Sequence, residues 1–339
     1  MSDLILLGHG SGGRMMRELI EKVFLPSFGG GGAGLGVEDS AVVPMPCKYG
    51  ARLAVTTDSY VVNPVFFPGG NIGDLAINGT VNDIAMSGAT PLYITTGFII
   101  EEGLPIPELE TIIKSMKDAA DKAGVTVIAG DTKVVDRGKA DRIFINTTGV
   151  GVVPDGVNVS ARGLKHGDRI ILSGTIGDHG MAVMSKRESL GFEAEIVSDC
   201  APLNSLVADM LAVCPELHAM RDPTRGGLAS TLIEFAEESG VSIIIDEKTI
   251  PVRDAVRGAC ELLGLDPLYV ANEGKLVAAV PEKMAEAVLA AMKKNPYGRD
   301  AVIIGEVTME PRGKVLMKTL IGGTRIVDML SGEQLPRIC

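Results

Sequence analysis

Tryptophan is absent from this 339-residue chain, and aromatic residues make up only 4% of it. Stacking platforms for single-stranded nucleic acid are therefore not expected. Positive charge is also short, with 32 basic against 43 acidic residues and a net charge of −11. That balance argues against a broad nucleic-acid footprint. No apolar run approaches the ~18 residues of a membrane span, and no signal peptide opens the sequence, so no membrane role is expected. Cysteine is scarce. Cys47, Cys200, Cys214, Cys260 and Cys339 form no CxxC pair and are odd in number, so neither a disulfide framework nor a cysteine zinc site is indicated. The simplest setting is a reducing cytoplasm with free thiols. The P-loop pattern, the HExxH pair and the GxSxG elbow are all missing, and His9, His166, His179 and His218 show no ligand spacing. Hydrolase triads and zinc catalysis are unsupported.

What is present is an ordinary globular composition, 46% hydrophobic and 22% charged, with length for about two domains. The run GGGGAGLG at 29–36 breaks the chain after a helical pattern at Arg14–Phe24, so residues 1–36 read as a glycine-rich arm. From Ala51 strands and helices alternate. Arg52–Asp58, Tyr93–Ile100, Val125–Ala129 and Ile143–Val153 read as strands, and Gly73–Ser87 and Pro107–Ala123 as helices. The latter carries Leu109, Ile112, Ile113 and Met116 on one face. This order suits a mixed sheet covered on one face, in a domain spanning 37–154. Turn residues make Pro154–Gly167 the boundary. A second alternation fills 165–330, with strands at Arg169–Leu172, Val241–Ile245, Leu276–Val280 and Val302–Val307 and helices at Leu228–Ser239 and Lys283–Lys293. This order is compatible with an α+β fold class in two domains. The end, SGEQLPRIC at 331–339, has no periodicity and reads as a mobile tail.

Aspartates recur at the ends of apolar strands: Asp39 in VEDSA, Asp58 in AVTTDS, Asp83 in TVNDIAM and Asp131 in VIAGDTK. Carboxylates gathered in one crevice repel one another unless cations intervene. Magnesium with a di- or triphosphate is their natural occupant; capping a turn is what each would do alone. In the helix at Gly73–Ser87, Asp74, Asn78 and Asn82 recur every four residues beside Asp83. Asparagine is a poor helix former, so this face is either for ligand contact or for solvent. Gly8, Gly10 and Gly13 fit GxGxxG, but the polyglycine break replaces the strand that dinucleotide binding needs. A glycine-rich cover over phosphates suits them better. Gly226 and Gly227 in RDPTRGG open a helix whose amides suit an anion, or else form a packing turn. Cys339 is the last residue, so it is no prenylation site. A thiol on a Gly/Pro-containing tail is able to reach a distant pocket, with Arg337 lowering its pKa and its own carboxylate raising it.

The stretches TTDSYVVNPVFFPGGNIGDLAINGTVNDIAMSGATP, AGDTKVV, DPTRGGLA, ANEGK and the terminal PRIC closely resemble the hydrogenase maturation family HypE. The likeness runs from LGHGSGGRMM to the last residue. The wider superfamily is that of aminoimidazole ribonucleotide synthetase, selenophosphate synthetase and thiamine-monophosphate kinase, which use ATP and magnesium. The resemblance implies an N-terminal α+β domain that dimerises, a C-terminal α/β sandwich, and a carbamoyl dehydratase. In that scheme Cys339 receives a carbamoyl group from the carbamoyltransferase HypF, ATP phosphorylates the carbamoyl oxygen, and elimination leaves a thiocyanate. The cyano group then passes to a HypC–HypD complex as a ligand for the iron of [NiFe]-hydrogenase. Lys133 and Glu273 match the family's deprotonating pair. Asp58, Asp83 and Asp131 match its magnesium ligands, with Asp39 a further one, and Asn82 and Gly130 match the lining of the nucleotide. Other readings are another synthetase or kinase of the superfamily and a scaffold whose tail only docks. No cysteine precedes Cys47, against selenophosphate synthesis, and a thiamine-monophosphate kinase has no use for a terminal cysteine.

Overall fold

The computed structural model describes residues 14–19, 41–44, 52–188, 196–330 and 338. Asp39, Cys339 and most of the expected arm and tail lie outside the described residues, apart from helix α1 (Arg14–Leu19) and Ile338.

The N-terminal sheet holds β1 (Ala41–Pro44), β2 (Arg52–Tyr60), β5 (Thr90–Glu101), β6 (Thr126–Val135) and β7 (Ile143–Val153) in the order β1-β2-β7-β5-β6. β5 and β6 run parallel and the other pairs antiparallel, so the sheet is mixed, as its element order implies. The short ribbon β3 (Phe66–Phe67) and β4 (Gly70–Asn71) leads into α2 (Ile72–Met86). Asn71 caps that helix. Its side chain accepts from Gly73 N at 2.8 Å while Asp74 Oδ1 accepts from Asn71 N at 2.7 Å. α2 and the amphipathic α3 (Ile106–Ala123) cover one face, burying Ile72, Leu75, Ile112 and Met116 with Ile94, Ile143 and Ile145. β6, at the edge, is exposed along nearly its whole length. Val127, Ile128 and Val134 on it are at least 41% exposed.

The C-terminal domain is built on a seven-stranded sheet whose centre is β10 (Ser242–Asp246), β12 (Val302–Thr308), β8 (Arg169–Leu172) and β11 (Val277–Val280), with β9 (Ala219–Arg221) at the edge beside β11. All four residues of β11 are buried because both faces are covered. Val277 and Ala279 meet the helix Gly227–Ser239, while Ala278 and Val280 meet the helices Asn204–Val213 and Glu282–Met292. The last two elements of the sheet, Lys314–Lys318 and Thr324–Val327, form an antiparallel hairpin.

The two domains share a buried seam. Ala85 and Met86 of α2 pack into the C-terminal domain beside Leu203, Leu206 and Met210. Asn82, fully buried, donates to Ala201 O at 3.1 Å and Glu273 O at 3.2 Å and accepts from Leu203 N at 2.8 Å. The polar face of α2 is therefore the joint between the domains. It meets neither solvent nor an open crevice at Asn82.

Candidate active site

A cavity opens on this seam, lined from the N-terminal side by Asp58, Tyr60 and Asp83 and from the C-terminal side by Asp222, Arg225 and Glu273. β2 supplies Asp58 at its end, and the next inward position is Tyr60, whose hydroxyl donates to Asp58 Oδ2 at 3.4 Å. Burial, and then the charges of Asp58 and Asp83, push that phenol well up. Asp83 projects from the last turn of α2 and accepts from Thr56 Oγ1 at 2.9 Å.

The C-terminal half is set by two short motifs. In ANEGK four residues have separate tasks. Asn272 accepts from Gly177 N at 2.7 Å and donates to Pro223 O at 2.9 Å, tying this loop to the DPTRGG loop. Glu273 enters the cavity. Gly274 passes so close to the chain at Asp199 that a Cβ would stand 1.8 Å from Asp199 O. Lys275 Nζ pairs with Asp199 Oδ2 at 2.9 Å, and Asp199 Oδ1 accepts from Glu273 N at 3.1 Å. In DPTRGG, Asp222 and Arg225 face the cavity. Gly227 lies at φ 61° and allows the backbone at Leu268 to approach, since a Cβ would be 2.6 Å from Leu268 O. The close approach at Gly227 is what the packing-turn reading asks for.

Two oxygens stand out. Asp222 Oδ2 and Glu273 Oε1 are buried with no hydrogen-bond partner among the described residues. Such groups are costly unless a proton or a ligand compensates them. Burial, then the charge of Asp58, raises the Asp222 carboxyl to about 7, and burial with Asp222 and Asp199 pushes Glu273 well above the usual carboxylate range. Among the described residues no three His, Cys, Asp or Glu side chains form a ready metal cage. Magnesium takes one or two carboxylates and fills its remaining positions with water and substrate phosphate, and Asp58, Asp83 and Asp222 are cavity carboxylates of the kind it uses.

The expected residues fall into two groups. Asp58, Asp83 and Glu273 share the cavity. Asp131 and Lys133 do not join them. Register carries Asp131 across to Gly97, Asn146 and Ser59, while Asp58 aligns with Thr147 and Thr96. Rows one residue apart on a pleated sheet point to opposite faces, so Asp131 lies on the open face and Asp58 on the helix-covered one. There Lys133 Nζ bonds Asp131 at 2.7 and 2.9 Å, both largely exposed, and holds the Asp131 carboxyl below the usual range. Gly130 precedes them on the same edge strand, and Asn82 is committed to the joint. Asp222 was absent from the sequence-derived set. Its signal was available: it opens DPTRGG at the end of the short buried strand Ala219–Arg221.

The AIR synthase related protein N-terminal domain matches residues 37–153, and the AIR synthase related protein C-terminal domain matches 165–318. The carbamoyl dehydratase HypE of Cupriavidus necator is 55% identical over 338 residues, covering all of this chain and 95% of that one. The chain belongs to the HypE family. Two solved HypE structures share its fold. One, of a hydrogenase maturation protein HypE in complex with ATP, is 47% identical with a TM-score of 0.83, covering 99% of this chain and all of that one. The other, of a HypE–HypF complex, is 50% identical with a TM-score of 0.86, covering 92% and 99%. The mixed N-terminal sheet and the doubly covered C-terminal sheet are the HypE architecture in this chain.

Proposed function

We propose that this HypE-family chain is a carbamoyl dehydratase in hydrogenase maturation, converting a carboxamide carried on the Cys339 thiol into a thiocyanate at the cost of ATP. The observation that carries this reading is the pair of carboxylate oxygens on Asp222 and Glu273 without a hydrogen-bond partner among the described residues, in the seam of a HypE-family chain. An amide oxygen is a poor leaving group. Transfer of the γ-phosphoryl group of ATP to it, with loss of one N–H proton, gives an O-phosphorylated imidate and ADP. Removal of the second N–H proton then lets the C–O bond break, phosphate depart and the C≡N bond form on sulfur. Glu273 takes that proton. Burial raises its pKa, which makes the ionised carboxylate a stronger base than one in water.

Asp58, Asp83 and Asp222 are the residues of the cavity suited to hold magnesium, with Asp39 and Asp131 completing the expected set. Magnesium supplies neutralisation of the triphosphate charge when bound. Asp131 and Lys133, on the open sheet face, act across a homodimer interface. The exposed apolar edge of β6 supports such an interface, and in a dimer Lys133 assists deprotonation and Gly130 borders the nucleotide. The carbamoyl group comes from HypF and the cyano group leaves to a HypC–HypD complex, in the cytoplasm.

The test is the mass of the C-terminal peptide after incubation with HypF, carbamoyl phosphate, ATP and magnesium. A carbamoyl adduct on Cys339 that becomes one water lighter only with further ATP is the expected result. An unmodified Cys339 beside an active HypF overturns the assignment.

A further inference from the structure

His179 lies in the first turn of the helix Asp178–Arg187, entirely buried, with its ring edge-on to Phe67 at 5.3 Å between centroids. Both ring nitrogens are engaged. Nε2 is 2.7 Å from the carbonyl oxygen of Ile338, and Nδ1 is 2.8 Å from Ser198 Oγ. A carbonyl only accepts, so Nε2 carries the hydrogen, and in a neutral imidazole Nδ1 then accepts from the Ser198 hydroxyl. Ser198 Oγ in turn accepts from Cys200 N at 3.1 Å. Every donor in this chain of bonds has an acceptor. Burial, which pushes the imidazole down, agrees with the neutral form.

The acceptor belongs to Ile338, the residue before Cys339 and 159 positions from the ring. Ile338 is only 4% exposed and joins the same apolar cluster as Phe67, Val183 and Ala271. The segment that steadies His179 also steadies the base. Ser198 holds the ring, and its neighbour Asp199 accepts from the backbone N–H of Glu273. The carbonyl before Cys339 is thereby tied to Glu273 through residues 198 and 199.

We propose that His179 is a positioning residue for the dehydration: its Nε2–H holds the last peptide carbonyl of the chain and fixes the backbone one residue before the carrier cysteine. The contact is to backbone, so it is indifferent to what the thiol carries and serves the carbamoyl and thiocyanate forms alike. The inference rests on Cys339 being the carrier.

The experiment compares full-length wild type, His179→Leu and His179→Gln, the last able to place an amide N–H near the position of Nε2. Iodoacetamide alkylation of Cys339 is followed on the Glu-C peptide ending the chain, and single-turnover conversion of carbamoylated protein is followed at saturating ATP. Loss of one hydrogen bond corresponds to about a fivefold change in the docked population. His179→Leu is expected to speed alkylation and slow conversion by about that factor with ATP affinity unchanged, and His179→Gln to restore both. A folded His179→Leu protein with wild-type alkylation and conversion overturns the proposal. Should His179→Leu not fold, Ser198→Ala decides. It releases Nδ1 to take the proton, and a roughly twofold change in the same direction supports the proposal, whereas wild-type rates overturn it. Alkylation does not depend on the carbamoyl chemistry. If Cys339→Ala leaves ATP-dependent dehydration intact, the functional reading fails, and the alkylation arm still reports on the contact by itself.

Discussion

The edge strand β6 and the interdomain seam each present acidic groups, and the two places give them opposite character. On β6, Asp131 lies in solvent beside Lys133, and its carboxyl is held below the usual range. In the seam, Asp222 is raised to about 7 and Glu273 is pushed well above the usual carboxylate range, because burial removes water and Arg221 and Arg225 offset only part of that cost. The contrast teaches that the same residue type is a charge in one region and a candidate proton acceptor in the other. Residue identity chooses the chemistry available, and the domain joint decides which of it is used.

The comparison is broken most severely at the base. Glu273→Gln is expected to slow conversion of carbamoylated protein by about 10²–10⁴-fold. Thermal stability should not fall, since the unpartnered Oε1 loses nothing; a calorimetric scan beside the rate shows whether the two separate. Next comes the scaffold of the seam. Gly274→Ala forces a Cβ against Asp199 O and is expected to cost about 3 kcal/mol by denaturant titration. Asp222→Asn should weaken magnesium–ATP binding by about tenfold, measured by calorimetry, because a charged ligand becomes a neutral one.

A smaller effect asks whether burial alone accounts for raised carboxyl values. Asp74, at the start of α2 and far from solvent on most sides, is raised from 3.8 to about 6, chiefly by burial. A carboxyl with a folded pKa above its unfolded one penalises folding once it ionises. The penalty is absent below about pH 4 and complete above pH 6. Asp74→Asn is therefore expected to raise the unfolding free energy at pH 8 by about 1 kcal/mol, after discounting for its partial exposure, and to leave it unchanged at pH 4. An equal gain at both would rule out ionisation as the cause. At the far end of the scale, Lys133→Ala should leave thermal stability where it was, because the pair it breaks is exposed. Any loss it causes belongs to turnover.

Much of this molecule was legible before its structure. Ile143–Val153 and Arg169–Leu172 are strands with the boundaries their apolar patterns mark, and α3 begins one residue from its expected start. These are segments whose periodicity matches their burial. The helix Asp178–Arg187 escaped because it is short and buried on several sides, and Asn204–Val213 because its exposed face is itself largely apolar, with Ala208, Ala212 and Val213 on it, so no polar stripe marks a period in either. β6 runs on to Val135, past the glycine and aspartate that suggested a turn, since parallel pairing to β5 continues through them. At the site, Asp58, Asp83 and Glu273 were found from motif and family. That Asp131 and Lys133 face away from them depends on cross-strand register, which a sequence does not display. Asn82 looked like a ligand residue for the reason that makes it a good joint: a buried amide in a helix needs three committed partners.

The most direct test of the central claim, that a desolvated carboxylate in the seam removes the nitrogen proton, is the mass of the C-terminal peptide from the Glu273→Gln protein. It is to be loaded with a carbamoyl group and given ATP and magnesium for a time in which wild type converts completely. The account predicts that Cys339 does not become the dehydrated form, one water lighter than the carbamoyl adduct, while nucleotide binding and folding match wild type. Full conversion at the wild-type rate would contradict it and assign the proton to another group.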